Sequence, residues 1–306
     1  MKRAIVTGAG GFIGKAVAKR LLDEEIEVWG IDISPKLLEE LATNKNFHPV
    51  IADFTKYNEL SDMLPHGADV FYHFAWQGVC GDAFKNYSMQ LDNAKYSCDA
   101  LMAAVKSDCR RFVMAGSVNE YEMDSYIGRD YFEPRYTYIY SSTKQISEAI
   151  GKTLAYYNSI DFCCGRIAMA YGENNSSKML PNVVINSLIN NKPVKLIEGK
   201  DLYDMVYISD IADAFLAIGK SGANMKSYYI GHRNLKSFRA IIEEIASILN
   251  PDCPLLFGEY PDVPSGINYN EIDKDALYND AGFECKADFR ESILKTAQWV
   301  KTLNWN

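Results

Sequence analysis

Apolar and polar positions along the first half of the chain alternate between two rhythms. Short runs rich in β-branched and aromatic residues, at 3–7, 26–31, 48–51, 69–73, 111–115 and 161–167, predict buried strands. Between them apolar residues recur at helical spacing, as in Phe12, Ala16, Val17 and Leu21, or Ala94, Cys98, Leu101 and Val105. Strands that alternate with helices build βα units, so the pattern predicts an α/β fold with a Rossmann-type doubly wound parallel sheet.

The regularity breaks near residue 170, and the polar stretch 172–178 reads as a loop. Further on, 205–218 reads as a strand and a helix and 227–230 as a strand. The expected organisation is a main domain over 1–170, with 205–233 returning to it, and a smaller α/β lobe from 171–204 and 234–306.

Composition narrows the function classes. The 306 residues carry 32 Lys and Arg against 40 Asp and Glu, a net charge of −8, with no basic run to follow a phosphate backbone. Nucleic acid is therefore not an expected partner. Apolar runs fall well short of the roughly 18 residues that suggest a membrane span. Met1-Lys2-Arg3 leads straight into Ala4-Ile5-Val6 with no signal-like apolar segment, so the expected location is cytoplasmic, without a membrane partner. Seven cysteines without CxxC spacing read as reduced thiols, and no metal site is expected.

The segment from Thr7 to Gly14 (TGAGGFIG) follows the first strand and opens the first helix. In that context glycines at 8, 11 and 14 suit a tight turn, close approach to a pyrophosphate and close helix packing. The amides of the helix start then face an anion with a favourable dipole. Asp32 closes the second strand, where a carboxylate accepts the ribose hydroxyls of NAD; Lys36 nearby leaves NADP open. Asp32 also suits a turn or a helix cap, and Asp53, at the next strand end, reads equally as an adenosine contact or a turn residue.

Tyr140 and Lys144 are four residues apart and share one helix face. A free phenol titrates near ~10, and a neighbouring ammonium group favours its ionised form. Ser117 ends the fifth strand, where a parallel sheet gathers its ligands, and suits either a bond to a reacting oxygen or a helix cap.

Taken together, these residues resemble the extended short-chain dehydrogenase/reductase superfamily, in its sugar-nucleotide epimerase, dehydratase and reductase branch. The resemblance rests on Gly8-x-x-Gly11-x-x-Gly14, Asp32, Asp53, His73-Phe74-Ala75, Asn93, Ser117 with Glu120-Tyr121, Tyr140-x-x-x-Lys144, Arg166, Tyr171-Gly172 and Asp204-Met205-Val206-Tyr207-Ile208-x-Asp210. It implies a catalytic triad of Ser117, Tyr140 and Lys144, with Asn93 supporting the lysine through a water. It also implies dinucleotide contacts from Gly8, Gly11, Phe12, Ile13, Gly14, Asp32, Asp53, Phe54, Ala75, Asn93, Tyr140 and Lys144. Ser117, Asn119, Lys178 and Asn182 are the implied substrate contacts, with Lys195 in the same covering stretch. The implied assembly is a homodimer formed through helices around 90–106 and 140–157. The implied activity is NAD(P)-dependent hydride transfer on a nucleotide-diphosphate sugar, either reduction of a 4-keto sugar or 4-epimerisation with bound NAD; a non-catalytic dinucleotide sensor is disfavoured by the intact triad.

The departures are informative. Dehydratases of this branch place Asp-Glu directly after the hydroxyl residue, where this chain has Val118 and Asn119, so dehydration is disfavoured. Met169 stands where many epimerases have asparagine, and Tyr203 where many relatives have a phosphate-binding arginine.

Overall fold

The computed structural model describes residues 1–127, 134–261 and 266–303. Its first strands are β1 (Arg3–Thr7), β2 (Glu27–Asp32), β3 (Phe47–Ile51), β4 (Val70–His73), β5 (Arg111–Ser117) and β6 (Asp161–Ile167). The chain then passes through β7 (Met169–Tyr171), β8 (Val194–Leu196), β9 (Leu202–Tyr203) and β10 (Met205–Tyr207), returns as β11 (Lys226–Ile230), and ends its strands with β12 (Lys236–Ser237) and β13 (Leu255–Phe257). Seven of these form one sheet in the order β11-β6-β5-β4-β1-β2-β3, and every pairing in it is parallel. This is the Rossmann-type doubly wound sheet. The order reverses between β1 and β4, where Thr7 lies opposite His73, and that reversal opens a crevice beyond the strand ends.

The helices are α1 (Phe12–Asp23), α2 (Pro35–Leu38), α3 (Tyr87–Lys106), α4 (Glu120–Tyr126), α5 (Thr137–Tyr157), α6 (Leu180–Ile189), α7 (Ile208–Ser221), α8 (Phe238–Leu249), α9 (Ala276–Ala281) and α10 (Phe289–Thr302). Strand alternation sends neighbouring apolar residues to opposite faces. Val6, Tyr72 and Val113 pack under Val17 and Leu21 of α1 and Phe215 of α7. Ile5, Phe71 and Phe112 pack under Leu101 and Ala104 of α3 and Ala155 of α5. Covered strands of this kind read as continuous apolar runs, which is why their positions were visible in the sequence.

A third apolar cluster, with Val184, Ile185, Leu188, Ile241, Ile245 and Ile293, joins α6, α8 and α10 away from the sheet. The strand and helix read at 205–218 are β10 and α7, and β10 pairs with β7 in a separate two-stranded sheet. The return to the main sheet is made by α7, whose Ile211, Phe215 and Ile218 are buried against it, and then by β11.

Asp204 fastens this crossing. Its carboxylate accepts the Tyr229 hydroxyl at 2.5 Å and the His232 amide at 2.8 Å, and meets His232 Nδ1 at 2.7 Å. The hydrogen bond to buried Asp204 raises the His232 pKa above its ordinary value. A base raised in the folded state stabilises most fully below its unfolded pKa, and the gain is lost as pH rises through the folded value. We therefore expect the melting temperature to carry a decline above about pH 6.5 that is missing in His232→Asn; an identical pH profile in both proteins would contradict the assignment.

Candidate active site

The loop after β1 is shaped by backbone approach. Gly8 has φ +66°, and a Cβ there would stand 2.9 Å from the Ala75 amide nitrogen. Gly14 lies so near that a Cβ would sit 2.1 Å from the Gly8 carbonyl oxygen. The Gly11 amide donates to that same oxygen at 2.9 Å and Gly11 caps α1 without any side chain. Phe12, Ile13 and Gly14 thus form a first turn with no acidic residue, whose amides have no intrahelical acceptor. Asp32, at the end of β2, accepts the Gly10 amide at 2.8 Å with one oxygen and the Ile33 amide at 2.8 Å with the other. A left-handed glycine, a bare helix start and an adjacent carboxylate together fit the pyrophosphate and ribose of a dinucleotide.

The other sequence-selected residues on this side fall into two groups. Asp53 accepts the Thr55 amide at 2.8 Å and hydroxyl at 2.5 Å, so its side chain caps the turn that follows. Phe54 stacks on Tyr96 at 5.0 Å, and both line a cleft of about 590 Å³ with Asp53, Ile33, Gln77 and Asp92. The Ala75 amide points to the Thr7 hydroxyl at 3.4 Å. Asn93 is spent on the backbone: it donates to Gln77 O at 2.9 Å and accepts the Gln77 amide at 2.9 Å, which pins the segment after β4.

Ser117, Tyr140 and Lys144 come together at the end of β5. The repeat of four along α5 turns Tyr140 and Lys144 toward the strand, and both are buried. Ser117 is the neighbour whose side chain favours ionisation of the Tyr140 phenol. Burial pushes the phenol up more than Ser117 pulls it down, so Tyr140 is a neutral phenol at physiological pH. Lys144 Nζ donates to Ala115 O at 2.8 Å and lies 3.6 Å from the centre of the Trp76 ring. Burial also pushes Lys144 down, to about 8.

Three participants, Trp76, Phe84 and Glu148, were not selected from the sequence, and a fourth, Glu120, appeared there only within a motif. Trp76 and Phe84 set their rings edge-on to Tyr140, at 5.9 and 5.2 Å between centroids. Glu120 and Glu148 both meet the Arg166 guanidinium, with closest approaches of 3.3 and 3.2 Å. Glu148 continues the Tyr140, Lys144 spacing by one more turn, a signal that was available; Trp76 directly follows the recognised His73-Phe74-Ala75. Glu120, Glu148 and Cys164 alone would suit a cation, but Arg166 already supplies positive charge there.

The expected substrate contacts are more dispersed. The Asn119 amide donates to Ser117 Oγ at 3.2 Å, which keeps it in the site. Asn182 is buried and donates to the Asn175 and Ser177 carbonyls, each at 2.9 Å, while its own Oδ1 has no hydrogen-bond partner. Lys178 is exposed beside this loop, and Lys195 is exposed on β8.

The chain is similar to known proteins in sequence and in fold. The chain is 24% identical to the dTDP-4-dehydro-6-deoxyglucose reductase of Escherichia coli over 80% of this chain and 81% of that protein. It is 24% identical to a trifunctional UDP-glucose 4,6-dehydratase/UDP-4-keto-6-deoxy-D-glucose 3,5-epimerase/UDP-4-keto-L-rhamnose-reductase of Arabidopsis thaliana; the match takes in 97% of this chain and 47% of that protein, so this chain spans about half its length. The solved UDP-glucuronic acid 4-epimerase of Bacillus cereus in complex with NAD has the same fold, with a TM-score of 0.77, 20% identity, and 98% and 96% of the two chains covered. Residues 4–231, from the first residues of β1 to just past β11, match the model of one family, and the chain belongs to it: the NAD dependent epimerase/dehydratase family.

Proposed function

We propose that this protein is an NAD(P)-dependent reductase that reduces a 4-keto nucleotide-diphosphate sugar at C4. The observation that carries the reading is the placement of Tyr140: a phenol buried near the end of β5, which burial holds protonated, with Lys144 one turn away on the same helix. Such a phenol is an acid before it is a base, and reduction of a ketone requires an acid at the oxygen.

A bound nicotinamide dinucleotide supplies the hydride. The loop residues Gly8, Gly11, Phe12, Ile13 and Gly14 would hold its pyrophosphate through backbone amides, and Asp32 its adenosine ribose. With Asp32 at that place NAD is favoured over NADP, because a carboxylate repels a 2′-phosphate. Ser117 donates a hydrogen bond to the substrate carbonyl, Tyr140 passes its proton to the same oxygen, and Lys144 stabilises the phenolate left behind. Trp76 and Phe84 exclude water from the phenol. We assign substrate binding to the segments 171–204 and 234–306, with the buried and unpartnered Asn182 Oδ1 as one acceptor. A homodimer would cover Leu91 of α3 and Ile146 and Ile150 of α5, which are exposed in the single chain.

The second reading, 4-epimerisation with retained NAD, is favoured by one observation: solved 4-epimerases share the fold across nearly the whole chain. Nicotinamide absorbance separates the two. With a 4-keto nucleotide sugar and reduced cofactor, we expect one cofactor oxidised per sugar reduced. Turnover of a 4-hydroxy nucleotide sugar with no net change in absorbance would replace reduction by epimerisation.

A further inference from the structure

Two side-chain amides on one face of α3 hold the segment that follows β4. Asn93 is bonded to both backbone groups of Gln77, and Gln90, one helical turn earlier, binds the residues on either side of it. Gln90 is fully buried. Its Nε2 donates to Gly78 O at 2.8 Å and to Ala83 O at 3.3 Å, and its Oε1 accepts the Trp76 indole Nε1 at 2.9 Å. An indole N–H only donates and a carbonyl only accepts, so these partners fix which end of the amide faces which. Gly78 lets the segment close on the helix: its φ is +73°, and a Cβ there would stand 2.8 Å from Met89 Sδ.

What this clasp holds is the aromatic wall of the active site. The Trp76 ring presents its face to Lys144, with Nζ 3.6 Å from the ring centre, and stands at 84° to the Tyr140 ring. Phe84 follows Ala83, whose carbonyl Gln90 binds, and meets the same phenol ring at 5.2 Å between centroids. An ammonium is attracted to the face of an indole and not to its edge, so the contact depends on how the ring is turned. The indole has a single polar atom, and Gln90 is its partner. Trp76 is only half-buried, so without that bond the N–H can turn to water and take the ring with it.

We propose that Gln90 is a positioning residue of the active site: its amide holds the Trp76 indole across the Lys144 ammonium and, by way of the Ala83 carbonyl, holds Phe84 against Tyr140. The proposal rests on the catalytic reading of Tyr140 and Lys144, but its first test needs neither cofactor nor substrate.

The chain has four tryptophans, so the indole N–H signals of the 15N-labelled protein can be followed by NMR, with Trp76→Phe identifying the one in question. In the unsubstituted protein the Trp76 N–H is expected to exchange slowly with solvent and to show a nuclear Overhauser contact with the Gln90 side-chain amide. Gln90→Met keeps the length of the side chain and removes its hydrogen bonds. There the Trp76 N–H should exchange at least about tenfold faster. The Trp299 N–H, bonded to Asn175 O at 3.0 Å in the lobe, should keep its rate and so reports any general loosening. Lys144→Met, which removes the charge over the ring, should displace the Trp76 signal in the otherwise unsubstituted protein and leave it nearly in place when combined with Gln90→Met. With a 4-keto nucleotide sugar, kcat of Gln90→Met should fall about 10- to 100-fold with little change in KM.

An unchanged Trp76 exchange rate in Gln90→Met, or a Lys144→Met displacement as large there as without it, overturns the proposal, and so does full turnover in Gln90→Met. If Gln90→Met does not fold, the contact between the Gln90 amide and the Trp76 N–H in the unsubstituted protein decides alone. A freed Trp76 in a protein that reduces no nucleotide sugar would keep the clasp and remove the reductase reading; reduction at full rate by Gln90→Met would do the reverse.

Discussion

Replacing Tyr140 by Phe is expected to lower turnover about 100- to 10,000-fold, the range supplied by a positioned general acid. The substitution removes one hydroxyl and leaves the ring between Trp76 and Phe84, so the packing around it survives. Its neighbour Ser117 is only half-buried and can turn its hydroxyl to water, so stability should change by no more than about 1 kcal/mol. Dinucleotide affinity should be nearly unchanged, because the glycine loop and Asp32 are untouched. Turnover, melting temperature and cofactor binding measured on one preparation separate these outcomes. Tyr140→Phe with full turnover would remove Tyr140 as the acid.

The second large effect belongs to Gly14. In Gly14→Ala the new methyl would lie 2.1 Å from the carbonyl oxygen of Gly8, a backbone atom that cannot rotate away. Either α1 moves off the sheet or the loop shifts, and overpacking of this kind costs about 1–3 kcal/mol. Because the displaced atoms are the amides offered to the pyrophosphate, the same shift should weaken dinucleotide binding at least about tenfold, equivalent to about 1.4 kcal/mol. A dinucleotide affinity in Gly14→Ala equal to that of the unsubstituted protein, by titration calorimetry, would contradict the role assigned to position 14.

These effects could be anticipated because the residues involved announce themselves locally. A glycine that must sit under a carbonyl, or a tyrosine one helical turn from a lysine, leaves a mark in a short window of sequence. The sheet was equally visible, since strands covered on both faces carry unbroken apolar runs such as Phe71 and Tyr72. What stayed hidden depends on contacts between distant segments. The resemblance gives Asn93 a place near the lysine, and in the fold its side-chain amide is bonded to the Gln77 backbone, 16 positions away. Asp53 is a strand-end carboxylate that spends its oxygen on Thr55. Met205–Tyr207 has strand character, but nothing in those three residues shows that β7 rather than the main sheet is the partner. Glu120 was quoted only as part of a motif, and its weight comes from Arg166, which reaches it from a different strand.

The seam between sheet and lobe has the same character. His232 lies 28 positions after Asp204, and only the fold shows that the two close a bridge between the start of β10 and the end of β11. The segments that give the lobe its own core, α6, α8 and α10, are separated in the sequence by strands and loops, which is why the two-segment lobe of 171–204 and 234–306 was expected only in outline.

The central claim is that this site moves hydride between a nicotinamide and a sugar ring carbon. Incubation of the protein with a 4-keto nucleotide sugar and reduced dinucleotide carrying deuterium at nicotinamide C4, followed by mass spectrometry and NMR of the product, tests it most directly. The account predicts one deuterium at sugar C4, delivered to a single face. A reduced sugar with no deuterium on any ring carbon would contradict it.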